Sequence, residues 1–568
     1  MNLKEKVLLL LIVVLGLCFR IYGINFDQTC CQHPDERAIV MFTLPLEFPK
    51  DFEEFLSPQS PLNPRFFAYG NLPLYLLKGV SIIVGMYNPT FSTYGQMNLV
   101  GRSISVLAEL ATMVIIFLLA RNIANSRVGL LSSFMYSISV LPIQYSHFFT
   151  SDILLTLFTT LTLFLAVKFY QKPSVKTALF LGVSFGLSLT TKISAMPLIA
   201  SISFAIAADF LLIFVRTPHK LKVWLPHVPI FLKRLITEGV VIVIATLFTF
   251  MITQPYAIID FSEFIKQNLQ QFQMTHNAYV FPYTLQYVGK TPYIYEMGNL
   301  FFWGLGPIIA ALSISGLILF VRRIKHSPPD KRSKMLIVVT FFIVYFAVVG
   351  NFAVGFMRYL LPVYPILAIF AAMSLHQIFK TIERTKLHFL NLVLKLAVLL
   401  FIFLWPLSFT SIYARANTRI EATEWINKNI PTGSIITTEH WDDRLPLKDS
   451  GNYNFIELNL YDQPDDEVKW KALSSKITQA EYLILASNRL YKPLQKLGEC
   501  GKYKVCYPKT KDYYDKLFSG KLGFIKVAEF SSYPTVPFIN LKINDEVADE
   551  SFSVYDHPKV IIFKRDRL

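Results

Sequence analysis

Apolar runs near twenty residues long recur through the first 410 positions, separated by short segments rich in Lys, Arg, Pro and Gly. A run of that length spans the hydrocarbon core of a bilayer as one helix. The pattern predicts helices at 7–24, 98–120, 127–147, 152–171, 177–190, 193–215, 235–256, 298–321, 335–352, 357–377 and 389–412. Two longer intervals, 25–97 and 257–297, join them on one side. The first interval is apolar and aromatic enough to form helices lying in the interface. The basic start Lys4-Glu5-Lys6 also fits a cleaved signal peptide, but no small-x-small cleavage site precedes Asp27, which favours a retained helix.

After Phe409 the period changes. Ala422-Thr423-Glu424-Trp425-Ile426-Asn427 reads as a polar helix stopped by Pro431-Thr432-Gly433. Strands are expected at 434–438, 453–458, 482–486, 524–530 and 560–564, with a helix at 465–476. The expected architecture is a polytopic α-helical membrane domain, residues 1–412, followed by an α/β domain, residues 413–568. That second domain has no Gly-rich phosphate loop.

Composition agrees: 53% of residues are hydrophobic and 17% charged, which excludes an ordinary soluble protein. The net charge of +16 lies largely in alternate short loops, among them Arg121 and Arg127, Lys172 and Lys176, Arg322 and Lys334, and Lys380, Arg384 and Lys386. This is the positive-inside distribution of a multi-pass protein of the cell membrane, not a nucleic-acid footprint. Eleven spans put the N-terminus on the cytoplasmic side, and the loops 25–97 and 257–297 and the C-terminal domain outside.

Candidate chemistry collects on that outer side. Asp35-Glu36 follows the first helix, and Asp152 opens the fourth after Ser146-His147. Arg20, Arg65, Arg102, Lys192 and Arg358 stand at outer helix ends. Each has an ordinary explanation: Ser151-Asp152 is a good helix start, and single cations snorkel. Together they describe a site for an anionic lipid headgroup with a proton acceptor. His147, Asp152, His276 and Glu296 are candidate ligands for a divalent metal, though no tight spacing joins them. Cys500 and Cys506 are close enough in sequence for a disulfide outside the membrane.

The Asp35-Glu36 start, Tyr69-Gly70-Asn71-Leu72-Pro73-Leu74-Tyr75, Gly101-Arg102, Ser146-His147 to Asp152, Thr191-Lys192 and Arg358-Tyr359-Leu360-Leu361-Pro362-Val363-Tyr364-Pro365 resemble family 39 membrane glycosyltransferases of the GT-C class. Relatives include protein O-mannosyltransferases and the lipid A aminoarabinose transferase. The resemblance covers roughly residues 1–410, and Ala548-Asp549-Glu550-Ser551 and Asp556-His557 resemble tails on prokaryotic members. It implies sugar transfer from a polyprenyl-phosphate donor to a lipid, glycan or protein acceptor at the outer face, with inversion. Asp35, Glu36 and Asp152 are then the catalytic candidates, and Arg102, Lys192 and Arg358 the donor-phosphate cations. His147, Tyr69 and Tyr359 are the substrate-binding candidates. Two other readings fit a multi-helix chain with buried charges. One is a transporter of lipid-linked sugars, for which the paired repeats and broken helices are missing. The other is a non-catalytic scaffold with an outer binding domain. As a test of topology, a reporter fused after Lys334 is expected to read cytoplasmic and one after Leu568 external; the same side for both refutes the eleven-helix arrangement.

Overall fold

Helices carry the chain as far as Thr410 in the computed structural model, which describes residues 1–216, 219–384 and 388–566. Lys386 and the last two positions of the C-terminal domain lie outside the described residues. Eight helices among the described residues are long and apolar enough to cross a bilayer, or nine with the bent pair Ser126–Ser137 and Val140–Ser146. The protein is a multi-pass membrane protein. The expected count of eleven is not matched. The first helix, Leu3–Ile21, holds Lys4, Glu5, Lys6 and Arg20, and Val175–Thr191 has only 17 residues.

The departures have local causes. The span expected at 127–147 breaks with a 57° bend. Pro142 lacks an amide hydrogen, and its ring collides with the carbonyl of Ile138 in a continuous helix. The helix expected from 298 is interrupted: Ile294–Asn299 and the π-helical turn Leu300–Gly304 come first, and the long helix Pro307–His326 follows Gly306, which takes φ 80° ahead of a proline at the first helical position. Elsewhere small residues bring helices together. A side chain at Gly182 or Gly186 meets backbone oxygens of Ile242 and Thr246 at 2.5 and 2.9 Å, so Val175–Thr191 and Val240–Thr253 pack backbone to backbone.

The interval 25–97 holds helices Pro34–Thr43 and Leu72–Gly85, and 257–297 holds the long helix Phe261–His276. These cover one end of the bundle, where the C-terminal domain docks. Its strands are β1 (Ile435–Glu439), β2 (Asn454–Leu458), β3 (Tyr482–Leu485), β4 (Phe524–Phe530), β5 (Thr535–Val536), β6 (Leu541–Lys542) and β7 (Val560–Arg565). Five form one sheet in the order β2-β1-β3-β7-β4. β1 pairs parallel to β2 and β3, and β7 antiparallel to β3 and β4. The short β5 and β6 make a separate ribbon. A disulfide joins Cys500 to Cys506, with Cα atoms 5.0 Å apart.

Buried polar contacts tie this domain to the bundle. Arg419 donates to Asp442 and Asp443 at 3.0 and 2.7 Å, and Asp443 accepts from Arg37 of helix Pro34–Thr43 at 2.8 Å. Asp556 accepts from Tyr413 at 2.9 Å and from Gln144 at 3.0 Å. On its other side stands His557, whose second ring nitrogen meets Asp545 at 2.8 Å. Burial disfavours the imidazolium, but the carboxylates of Asp556 and Asp545 outweigh it and lift His557 to about 10. The charged form is therefore favoured by folding. Its contribution to stability is complete below the unfolded value near 6.5 and is lost as pH rises through about 10. His557→Gln is expected to cost about 3–5 kcal/mol at pH 7, since it strands two buried carboxylates. It should also flatten the decline of melting temperature between pH 7 and 10; an unchanged slope refutes this account.

Candidate active site

The pair Asp35-Glu36 sits in the first turn of helix Pro34–Thr43. His33 caps that helix, its Nδ1 accepting from the Asp35 amide at 3.2 Å, and Pro34 fills the first position, where no donor is needed. Burial lowers His33 to about 3, so it stays a neutral cap. Its ring packs on Tyr555 of the C-terminal domain, centroids 4.2 Å apart.

The two acids point into different environments. Glu36 accepts from Arg102 at 2.9 and 2.7 Å and from the Phe149 amide at 2.9 Å. Arg102 also donates to both oxygens of Asp27, at 2.9 and 2.8 Å, and to the Ile24 carbonyl. Burial holds the Glu36 carboxyl above the ordinary glutamate range despite Arg102. Every side-chain nitrogen of Arg102 is thus committed to protein, and neither residue lines a cavity. Arg102, expected at the donor phosphate, and Glu36, expected among the catalytic groups, are thus placed against each other and Asp27, beside the cavity that Asp35 lines.

Asp35 instead lines a polar cavity of about 260 Å³ with Tyr69, Lys192, Arg358 and Tyr359. Arg358 Nε stands 3.0 Å from Asp35 Oδ2 and 3.6 Å from Asp152 Oδ2, and Lys192 Nζ is 2.7 Å from Asp152 Oδ1. Burial opposes ionisation of Asp35, but the Arg358 guanidinium prevails, with help from His33 and the Tyr69 hydroxyl, and holds the carboxyl below the usual aspartate range. Asp35 Oδ2, Asp152 Oδ2 and Arg358 Nε and Nη1 are buried without an aligned hydrogen bond among the described residues. Arg358 Nε, Asp35 Oδ2 and Asp152 Oδ2 still face one another as ion pairs, so they are balanced in charge without being saturated in hydrogen bonds.

Backbone geometry brings these groups together. Lys192 ends helix Val175–Thr191 in extended backbone, and the Gly70 amide donates to the Thr191 carbonyl at 3.0 Å. A Cβ on Gly70 would lie 1.8 Å from the Thr190 oxygen. Glycine therefore lets Tyr69 reach Lys192, whose ammonium sits 5.7 Å from the Tyr69 ring and 4.9 Å from that of Tyr359. Arg358 and Tyr359 belong to the 3-10 turn Met357–Val363, anchored by the Tyr345 hydroxyl donating to the Tyr359 carbonyl at 2.8 Å.

A second, largely apolar cavity of about 800 Å³ shares Lys192, Gln271 and Tyr359 with the first. Ile193, Met196, Ile199, Phe272 and Val348 floor it, all of them exposed apolar side chains. Asp152 lies at its polar end.

Other expectations fare differently. His147 is buried, stacked on Tyr413 at 3.9 Å, with its nitrogens on the carbonyls of Ile143 and Tyr22, so it is no part of the cavity. His276 edges the apolar groove and Glu296 pairs with Lys290, so His147, Asp152, His276 and Glu296 do not converge as a ligand set. Among the described residues no three His, Cys, Asp or Glu side chains stand together as metal ligands. Arg20 is buried against Glu109 at 2.9 Å. Sequence reasoning missed Trp441, Arg489, Glu550 and Tyr555, which the C-terminal domain contributes to the polar cavity. Glu550 belongs to a tail motif that carried no assigned role.

A sequence profile of the dolichyl-phosphate-mannose-protein mannosyltransferase family matches residues 90–243. No curated protein matches the chain. Among solved structures, the archaeal oligosaccharyltransferase AglB from Archaeoglobus fulgidus, in complex with an inhibitory peptide and a dolichol-phosphate, superposes with a TM-score of 0.52 at 12% identity, covering 99% of this chain and 88% of that one. The chain shares the fold of that enzyme. The apo A. fulgidus enzyme matches it at a TM-score of 0.50 and 12% identity, over 99% and 88% of the two chains. ArnT from Cupriavidus metallidurans bound to undecaprenyl phosphate gives 0.43 at 11% identity, over 98% and 97%.

The close approach at Gly70 is the most easily tested part of this site. Gly70→Ala is expected to cost about 1–3 kcal/mol by overpacking, read as a lower melting temperature in detergent. Wild-type stability in that variant refutes the contact.

Proposed function

We propose that this protein transfers a sugar from a polyprenyl-phosphate-linked donor to an acceptor at the outer face of the membrane, with Asp35 as general base. The observation that carries the reading is the cluster of Asp35, Asp152, Lys192 and Arg358, ion-paired but short of aligned hydrogen bonds, at the junction of an apolar groove and a polar cavity. A polyprenyl chain suits the groove, and its phosphate suits Lys192 and Arg358 at the junction. The described dolichyl-phosphate-mannose family and the dolichol-phosphate held by AglB support the donor class. The distribution of basic loops supports the outer face.

In the reaction the acceptor hydroxyl oxygen attacks the anomeric carbon. Its proton passes to Asp35, and the bond from that carbon to the phosphate oxygen breaks with its electron pair leaving on polyprenyl phosphate. One displacement inverts the anomeric centre. Lys192 and Arg358 stabilise the charge that grows on the leaving phosphate, in a site with little water to screen it. Asp152 holds both cations in position. Arg358 keeps Asp35 ionised at neutral pH. A phosphate that draws the guanidinium toward itself loosens that hold, which raises the proton affinity of the base once the donor is seated.

Asp35→Asn is expected to lower turnover by about 10²–10⁴-fold, the usual worth of a general base, while undecaprenyl phosphate binding survives. Arg358→Ala should weaken that binding as well as turnover, because the phosphate contact exists before and during transfer. Both are measurable on purified protein with a radiolabelled lipid-linked sugar. Full turnover in Asp35→Asn overturns the assignment of the base.

A further inference from the structure

The polar cavity is built by two domains. Asp35, Tyr69, Lys192, Arg358 and Tyr359 come from the helical part, and Trp441, Arg489, Glu550 and Tyr555 from the C-terminal domain. Nothing in the transfer chemistry above uses the second group. The order of the cavities says what it faces. The apolar groove meets the polar cavity at Lys192, Gln271 and Tyr359, so a lipid phosphate bound there has its chain on the groove side. Whatever the phosphate carries then enters the polar cavity, toward the C-terminal domain.

The lining fits a sugar. At about 30 Å³ per water in the liquid, the cavity is the size of one sugar ring with a little solvent. Tyr283 and Trp441 bring aromatic faces, their centroids 5.9 Å apart, and the backbone holds Trp441 at φ 82°. That left-handed conformation is costly for a bulky residue and persists only where surrounding structure imposes it. Glu550 accepts from Arg489 Nε at 2.7 Å, and Arg489 Nη2 reaches the Tyr555 hydroxyl at 3.3 Å. This pre-set fork of donors and acceptors matches neighbouring hydroxyls on a ring. Burial lifts the Glu550 carboxyl to about 7 even with Arg489 beside it, so near neutral pH it serves as donor or acceptor.

We propose that Trp441, Arg489, Glu550 and Tyr555 grip the sugar of the lipid-linked donor, so that the C-terminal domain selects which sugar is transferred. The inference rests on the polyprenyl-phosphate reading of the neighbouring cations. It makes these four residues specificity determinants distinct from the base and the phosphate site.

The test compares two ligands on full-length protein in detergent: undecaprenyl phosphate, and the same lipid carrying mannose, glucose or N-acetylglucosamine. Wild-type protein is expected to bind at least one sugar-bearing lipid about tenfold more tightly than the bare lipid, in line with hydrogen bonds to a charged group. Glu550→Gln and Trp441→Ala should each erase most of that gain while leaving bare-lipid affinity within about twofold, the pattern of a contact made by the sugar alone. Arg358→Ala should weaken both ligands. Trp441 is partly exposed, so its replacement reports even if Glu550→Gln fails to fold. Equal losses for both lipids, no loss for either, or no gain from any sugar in wild-type protein overturns the proposal while the phosphate reading stands. Failure of wild-type protein to bind undecaprenyl phosphate overturns the phosphate reading itself.

Discussion

Four charges buried at the end of a helix bundle set the terms for the rest of the molecule. Asp35, Asp152, Lys192 and Arg358 come from four separate segments, yet they stand within 2.7–3.6 Å of one another in a chain of contacts. An unpaired charge in such surroundings is expensive, and removing one partner leaves the others exposed to that cost. Two acids against two bases make the cluster neutral as it stands. It is still incomplete, because the atoms that face the cavity lack aligned hydrogen bonds. A cluster balanced in charge but short of hydrogen bonds favours an arriving phosphate, which offers acceptors to Arg358 and Lys192.

The docking of the C-terminal domain follows from the same constraint. Polar groups at the edge of the bundle need partners, and the domain supplies them. Arg37 finds Asp443, Gln144 finds Asp556, and the neutral ring of His33 is covered by Tyr555. His557 then holds Asp556 from the far side. The result is a cavity whose floor belongs to the bundle and whose remaining wall belongs to a separate fold. On the proposed reading, chemistry and selectivity then belong to different parts of the chain, so one can change without disturbing the other.

Much of this was legible in the sequence, for identifiable reasons. The five sheet strands lie where short runs rich in β-branched and aromatic residues, bounded by turn residues, predict; β1, β3 and β7 are buried along most of their length, so composition and length mark them rather than alternation. Asp35, Lys192 and Arg358 stand out because charges are rare in apolar surroundings, and they do meet. Arg102 and His147 stand out for the same reason, yet they are inward structural partners; scarcity of charge marks burial and does not say against what. The bend at Ser139 needed weight given to Pro142 inside an apolar run. Trp441 and Arg489 were invisible because a soluble domain is full of such residues. Only docking distinguishes these two from Arg444 or Lys448, and no periodicity encodes it.

The adjacent acids Asp35 and Glu36 show how the sequence resolves two demands at one turn of helix. Successive helical residues point about 100° apart, and here that turn sends Asp35 and Glu36 into different surroundings. Glu36 turns inward to Arg102, which also grips Asp27 and the Ile24 carbonyl, and thereby fixes the loop leaving the first helix to the body of the bundle. Asp35 turns outward, on a helix whose start is already locked by the His33 cap and by Pro34. Glu36 is saturated with donors, while Asp35 faces the cavity beside Arg358, as the proposed base requires. Exchanging the two side chains alters reach by one methylene in each direction. The two-point fit at Arg102 and the 3.0 Å approach of Arg358 each match the side chain present, so the two acids have different geometric requirements despite their like charge.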